Sequence, residues 1–496
     1  MSNRSQVYVN EILSPCFEVA KRRFYRSIME VNLAHTLMLD RCGIIPAAEA
    51  SVIAGALLER MESAPQQGYD PTYEDLFFLI EHQIETAIGA ESAGNMHVAF
   101  SRNDLDAAIF RMALRKDLLD LTEKVQLIRQ ALLDLAAKHV NTVMPAHTHN
   151  QQAQPTTLAH YLMAVEGNLR RDTERLTGLY SRVNRSPMGA AALATTGFPV
   201  DRSYVERWLG FEGLVENSYD AVCASDHMLE AASTLAVLGS NLSRFTYDLM
   251  LWASNEFSVL KLDDSLVQVS SIMPQKRNPV ALEHLRAVLS RLLGRTGALF
   301  PLAHSVPLGD INDVGDDLQP MLEEAVDEAR RALDLLLEIL GKASFDTELL
   351  HARARDGFSA VTELADTLMR EAKLPFRQAH HVVTRFVKTL QADGRILPQG
   401  RLADVDQIAN ELFGRPTGLS EESFRQAIDP HNFVQRRSVI GGPAPAEVGR
   451  ALGTATASVA VAREFVAAKR SALQSARSLM LSDAEALVQG AGKHRG

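Results

Sequence analysis

At 496 residues the chain is too long for one ordinary hydrophobic core, so two or three domains are expected. Its 46% hydrophobic and 23% charged residues are the balance of a globular protein and exclude a disordered one. A formal net charge of -10 argues against coating nucleic acid or anionic membrane, and no uncharged apolar run approaches the roughly 18 residues of a membrane helix. Cys16, Cys42 and Cys223 lie far apart in no metal-ligand spacing, which fits a reducing compartment without structural disulfides. The first residues hold no apolar stretch before a cleavage site, so a cytoplasmic protein is expected.

Helical periodicity dominates. Leu114, Leu118, Leu121, Val125, Ile128, Leu132 and Leu135 step by four and three, with no Gly or Pro between Gly94 and Pro145. Pro145, Pro155, Pro187 and Pro199 then bracket two loop-rich stretches. The stepping resumes at Leu235, Leu238, Leu242, Phe245, Leu249 and Trp252. After a loop bracketed by Pro274 and Pro279 come Leu282, Leu285, Leu289 and Leu292, and then Leu322, Val326, Ala329, Leu333, Leu336 and Leu340. Each set is one stripe of a helix that another helix must cover. Without the strand pattern of an α/β protein, an all-α bundle is expected. Gly441–Glu447 reads as a turn before a last helix, and Gln489–Gly496 as a frayed tail. No internal repeat or low-complexity tract is present.

Three stretches carry chemistry. Gly94–Asp104 packs Ser101, Arg102 and Asn103 into one turn before a long helix, which suits a carboxylate near a helix start or, more plainly, a capped helix with a solvated arginine. Met144–Pro155 holds His147, Thr148, His149 and several amides between prolines, a polar turn that packing does not explain. A histidine here suits proton transfer near neutral pH. The two histidines have no neighbouring Cys or acid, so no metal site is expected. Gln268–Pro279 places Ser270 and Ser271 beside Lys276 and Asn278 in a proline-pinned loop, with Glu283 on the next helix.

The run SSIMPQKRNP resembles the signature of the fumarase/aspartase superfamily, and the first two stretches are similar to those of its argininosuccinate lyase branch. Similar wording continues at Ser186–Arg202, Asn217–Val222 and Ala427–Pro445, so the resemblance spans roughly residues 30 to 450. It implies an all-α, three-domain protein with a central long-helix bundle, divided near 1–105, 106–360 and 361–496. It also implies a C–N lyase acting on an N-substituted aspartate without a cofactor, in a homotetramer whose sites draw on three subunits. Ser270 is then the base that gives an aci-carboxylate intermediate, with Lys276 and Asn278 stabilising the developing charge. His149 pairs with Glu283 to orient a water or protonate the leaving nitrogen. Ser101, Arg102, Asn103, Thr148, Gln154 and Ser271 are expected to bind substrate.

Departures from the family pattern choose the substrate. Where the family contacts the arginine portion, this chain reads Pro307–Pro320, with Asp310, Gly315 and Leu318 in place of Tyr, Gln and Lys. Val98, Ala99 and Phe100 replace a Thr-Gly-Arg, and Ser225 replaces an arginine. A site that loses such polar contacts loses selectivity for the group they held. The expected substrates are therefore aminopolycarboxylates such as ethylenediamine-disuccinate. Rival expectations are argininosuccinate itself, a fumarase-like hydratase and a crystallin-like structural homologue with weak activity.

Overall fold

The computed structural model describes residues 4 to 492. Its longer helices, numbered in chain order, are α1 (Tyr25–Arg41), α2 (Ala47–Arg60), α3 (Leu76–Ile88) and α4 (Arg102–Lys138). There follow α5 (Leu158–Val183), α6 (Asp226–Ala253), α7 (Val280–Ala303), α8 (Gln319–Gly341), α9 (Phe376–Ala392) and α10 (Pro445–Gly492). The strands are short and form three two-stranded ribbons. These pair β1 (Val143–Thr148) with β2 (Gln151–Thr157), β3 (Leu260–Leu262) with β6 (Ala343–Phe345), and β4 (Gln268–Val269) with β5 (Arg277–Asn278). The chain is an all-α protein.

The leucine stripes explain the bundle. Leu114, Leu118, Leu121, Val125, Ile128 and Leu132 of α4 are buried against the stripes of α5, α6, α7 and α8 in one apolar core. Each buried leucine contributes about 1.5–3 kcal/mol by leaving water. One polar cross-link inside this core is well satisfied. Arg129 of α4 donates from Nε at 2.9 Å and Nη2 at 2.7 Å to one Glu166 oxygen on α5, and Nη2 also reaches Ser458 of α10. A second core packs α1, α2 and α3 against Leu105, Ala108 and Ile109 at the start of α4. A third gathers residues between Ala360 and Phe433.

The last helix does not stay with that third core. Val448 and Val466 of α10 enter the bundle core, while Met480 and Ala484 enter the N-terminal one. Trp208 donates from its indole nitrogen to Asp483 at 2.9 Å, tying the far end of α10 down. The expected fraying from Gln489 is thus displaced, because α10 continues to Gly492; residues 493–496 lie outside the described residues. No helix among the described residues is long and apolar enough to cross a membrane.

Candidate active site

The serine stretch is not a free loop. Gln268 pairs with Asn278 and Val269 with Arg277, so β4 and β5 form a narrow ribbon closed at its mouth by Ser270 N–H donating to the Lys276 carbonyl at 3.2 Å. Within the turn, Ser270 Oγ accepts the backbone N–H groups of Met273 (3.1 Å) and Ile272 (3.4 Å). Two amide dipoles aimed at one hydroxyl oxygen favour negative charge on it. Arg277 anchors the ribbon's root by donating to the Leu262 carbonyl at 3.1 Å and pairing with Asp264. Asn278 sits in β5, and Lys276 is exposed at the turn with Ser271. The apolar mix of this turn is not buried within the chain: Ile272 is 83% exposed and Val269 56%.

The histidine stretch, expected as a polar turn, is a β-hairpin. Pro145 and Pro155 face each other in register, which a two-stranded ribbon tolerates because each strand has a free edge. His149 (φ 53°) and Asn150 (φ 58°) form its two-residue tip. Two successive positive φ values make this a type I′ turn, the connection whose twist matches the strands. Thr148, His149 and Gln154 are exposed, and Gln154 donates to Thr362 at 3.2 Å. Glu283 stands exposed in the first turn of α7. Among the described residues no hydrogen bond or ion pair joins His149 to Glu283.

At the first stretch, Ser101 caps α4 and Asp104 completes a capping box. Asp104 is fully buried and does more than cap: Oδ2 accepts the amides of Gly189 and Ala191, both at 2.9 Å, and Oδ1 that of Ser101 at 3.2 Å. Burial pushes its carboxyl up to about 7, with these amides pulling the other way. The loop it holds is strained, with Gly189, Ala191 and Thr195 at positive φ. A Cβ on Gly189 would lie 2.6 Å from Arg202 Cγ, so glycine is required there. Asn103 donates to the Ala192 carbonyl of the same loop at 3.1 Å.

Arg102, expected to meet a substrate carboxylate, sits beside three protein carboxylates. Its Nη1 lies 2.6 Å from Asp75 and 3.3 Å from Glu74, and its Nε 3.6 Å from Asp106. A cavity of about 440 Å³ opens on one side of this cluster, lined by Cys16, Glu74, Asp75 and Phe77 among others. A smaller one of about 60 Å³ opens on the other, lined by Ala224, His227, Gly309–Asn312 and Val314–Asp316. Arg102, Asp106, Phe110, Asn312, Gly315 and Asp316 border both. Asp106 keeps 35% of its side chain open yet is recessed in the fold. Burial lifts its carboxyl to about 8, Arg102 opposes this, and Asp75, Asp310 and Asp316 add to it. Leu318, by contrast, is fully buried in the bundle core and faces neither cavity. Sequence reasoning missed Asp104, Asp106 and His227; Asp104 left the S-x-x-D spacing of a capping box, and Asp106 a place four residues beyond Arg102 on one helix face. Among the described residues no three His, Cys, Asp or Glu side chains converge as a metal site would require.

A serine oxygen held by backbone amides, with a lysine and an amide in the same ribbon above a long-helix bundle, is equipped for proton abstraction and oxyanion stabilisation. That is the equipment of an eliminating enzyme. Comparison with known proteins narrows the class. Residues 25–294 match the lyase family model, and residues 358–435 match the model for the argininosuccinate lyase C-terminal region. The chain is 40% identical over 441 residues to argininosuccinate lyase 2 of Agrobacterium fabrum, covering 88% of each, and 36% identical over 466 residues to argininosuccinate lyase of Methanosarcina acetivorans, covering 93% and 92%. Among solved structures it resembles EDDS lyase in complex with formate, at 31% identity and a TM-score of 0.88 over 99% of this chain and 98% of that one. An EDDS lyase variant with bound fumarate matches at 32% identity and the same TM-score, covering 96% and 95%. The chain belongs to the argininosuccinate lyase family of the fumarase/aspartase superfamily, and it is a carbon–nitrogen lyase that releases fumarate.

Proposed function

We propose that the chain catalyses reversible β-elimination of an amine from an N-substituted aspartate, with Ser270 as the base. Ser270 Oγ takes the proton from the carbon beside one carboxylate. Ser270 acts as the alkoxide; the C–H electrons are held in an aci-carboxylate and then form the double bond of fumarate as the C–N bond breaks, and the nitrogen leaves with the bonding pair and gains a proton. Lys276 and Asn278 stabilise the aci-carboxylate that precedes C–N cleavage. Ser101, Arg102, Asn103, Thr148, Gln154 and Ser271 hold the succinyl part, and His149 with Glu283 orients a water or delivers the proton to nitrogen. The observation that carries this reading is the pair of amides donating to Ser270 Oγ.

Each site draws on three chains of a cytoplasmic homotetramer. What supports this is that no hydrogen bond or ion pair joins the three stretches within the described residues of one chain. The apolar turn at Val269, Ile272 and Met273 also stands uncovered there. Packing of other chains and closure of the turn over substrate would exclude water and strengthen the charge stabilisation.

For the substrate, aminopolycarboxylates such as ethylenediamine-disuccinate are the favoured class. The match to EDDS lyase supports them, as do Asp310, Gly315 and the buried Leu318 where arginine contacts would stand. Argininosuccinate cleavage is the second reading, supported by the names of the relatives. Ultraviolet absorbance of released fumarate distinguishes them: a higher kcat/KM for ethylenediamine-disuccinate is expected, and preference for argininosuccinate would refute the first reading. Ser270→Ala should lower kcat by at least about 10²-fold with the fold intact by circular dichroism; near-parent turnover would remove Ser270 as the base.

A further inference from the structure

A cavity of about 350 Å³ opens where α1, the middle of α4, the short helix Arg202–Trp208 and α10 meet, about 20 Å along α4 from Arg102 at 1.5 Å per residue. Arg115, Lys116, Arg470 and Arg477 line it together with Glu30 and Asp120, so four cations face two carboxylates. Both carboxylates are already committed: Glu30 to Arg477 and Asp120 to Arg470, each at 2.7 Å. Arg115 and Lys116 enter no ion pair among the described residues. Arg115 is only 6% exposed, and its hydrogen bonds go to neutral oxygens. Its Nη1 donates to Asn184 Oδ1 at 2.8 Å and its Nη2 to the Leu209 carbonyl at 2.6 Å, with the Phe211 ring 4.5 Å away. Burial pulls its guanidinium down to about 10, which leaves it charged at neutral pH. Glu212, the other carboxylate in its field, is held by Lys469 at 2.9 Å. A charge buried without a counter-ion is costly, and an anion in the adjoining cavity removes that cost.

We infer that this cavity is a second ligand site, separate from the substrate site, and that it takes a dianionic phosphate group carried on a small organic molecule. Two cations without carboxylate partners match a double negative charge. Arg115 is buried and Lys116 exposed, so they clasp the group from the protein side and from the solvent side. A guanidinium suits phosphate because its planar donors meet two oxygens at once. Size calls for more than the phosphate alone. About 350 Å³ holds roughly 20 to 35 water-sized groups at 10–15 Å³ each, several times what a phosphate fills. Trp208, Leu473 and Met480 supply an apolar wall for the organic part. A ligand there joins α4 to α10 across the seam where α10 returns to the N-terminal core, so binding stabilises that docking. The inference does not depend on which amine the lyase releases, since none of these residues is assigned to catalysis.

Calorimetry on the full chain at constant ionic strength tests this with phenyl phosphate, inorganic phosphate and benzenesulfonate, the last having a similar body but one charge. Phenyl phosphate is expected to saturate one site per chain with a Kd of about 1 mM or tighter and to raise the melting temperature. Benzenesulfonate should bind at least about tenfold more weakly. Inorganic phosphate binding as tightly as the ester would keep the site and make free phosphate its ligand. Lys116→Glu changes an exposed side chain and should weaken phenyl phosphate at least about tenfold, while fumarate release without phosphate keeps the parent kcat/KM. Arg115→Met should weaken binding further; if that variant fails to fold, Lys116→Glu decides. The inference is overturned by absence of saturable binding, by equal affinity for benzenesulfonate or by unchanged affinity in Lys116→Glu. Displacement of phenyl phosphate by fumarate also overturns it, because the phosphate would then occupy the substrate site, and the lyase reading would stand.

Discussion

Replacing Asp104 by Ala tests how the start of α4 holds the loop beside it. The side chain is fully buried and accepts three backbone amides, from Ser101, Gly189 and Ala191. Losing the cap interaction costs about 1 kcal/mol. The two loop amides then lose their acceptor in a site closed to water, at about 1–3 kcal/mol each. The sum, about 3–7 kcal/mol, is a large share of the stability of a typical domain. Arg202 limits the damage, because it grips the same loop through the carbonyls of Pro187 and Met188. Asp104→Asn keeps one acceptor oxygen and should cost less, about 1–2 kcal/mol. Urea denaturation measures both. Since Asn103 bonds Ala192 in that loop, kcat/KM for fumarate release should also fall in Asp104→Ala well below its melting temperature. A loss under 1 kcal/mol with unchanged kcat/KM would show that Arg202 alone holds the loop and that Asp104 is incidental.

Asp104 and Asp106 titrate upward, to about 7 and about 8, so the folded state favours their protonated forms. Their contribution is full below the ordinary carboxylate range near pH 4 and is lost as pH rises through 7 and 8. Melting temperature should therefore fall between about pH 4 and pH 8 and level off above, and Asp106→Asn should flatten that fall; an unchanged slope would argue that Asp106 is ionised throughout. Arg277→Ala releases the root of the serine ribbon from Asp264 and Leu262. Because that pair is exposed, stability should change by less than about 1 kcal/mol. Catalysis should suffer more, with kcat falling several-fold as Ser270 loses its fixed geometry; unaltered kcat would mean the ribbon is positioned by its own pairing.

The bundle was legible because its signal is local. Steps of three and four at Leu114–Leu135, Leu235–Trp252, Leu282–Leu292 and Leu322–Leu340 report one helix face each, and these stripes lie in or against one core. The N-terminus of α4 was equally legible, since Ser101 and Asp104 make a capping box within four residues. The hairpin around His149 was less so. Prolines at 145 and 155 usually argue against strands, and the positive φ of His149 carries no mark of its own in composition.

What the sequence by itself determined is the helical architecture, the family and the residue types that chemistry needs. Periodicity, capping and short motifs act over a few residues, and a linear string records such spacing directly. Only the tertiary structure decided that Arg102 faces Glu74 and Asp75, 28 and 27 residues earlier, rather than open solvent. It also decided that α10 returns to the N-terminal core, and that His227 lies unpartnered beside Asp106, Asp310 and Asp316. Those juxtapositions depend on how long helices cross, and charge cages and cavities form between segments that no local pattern connects.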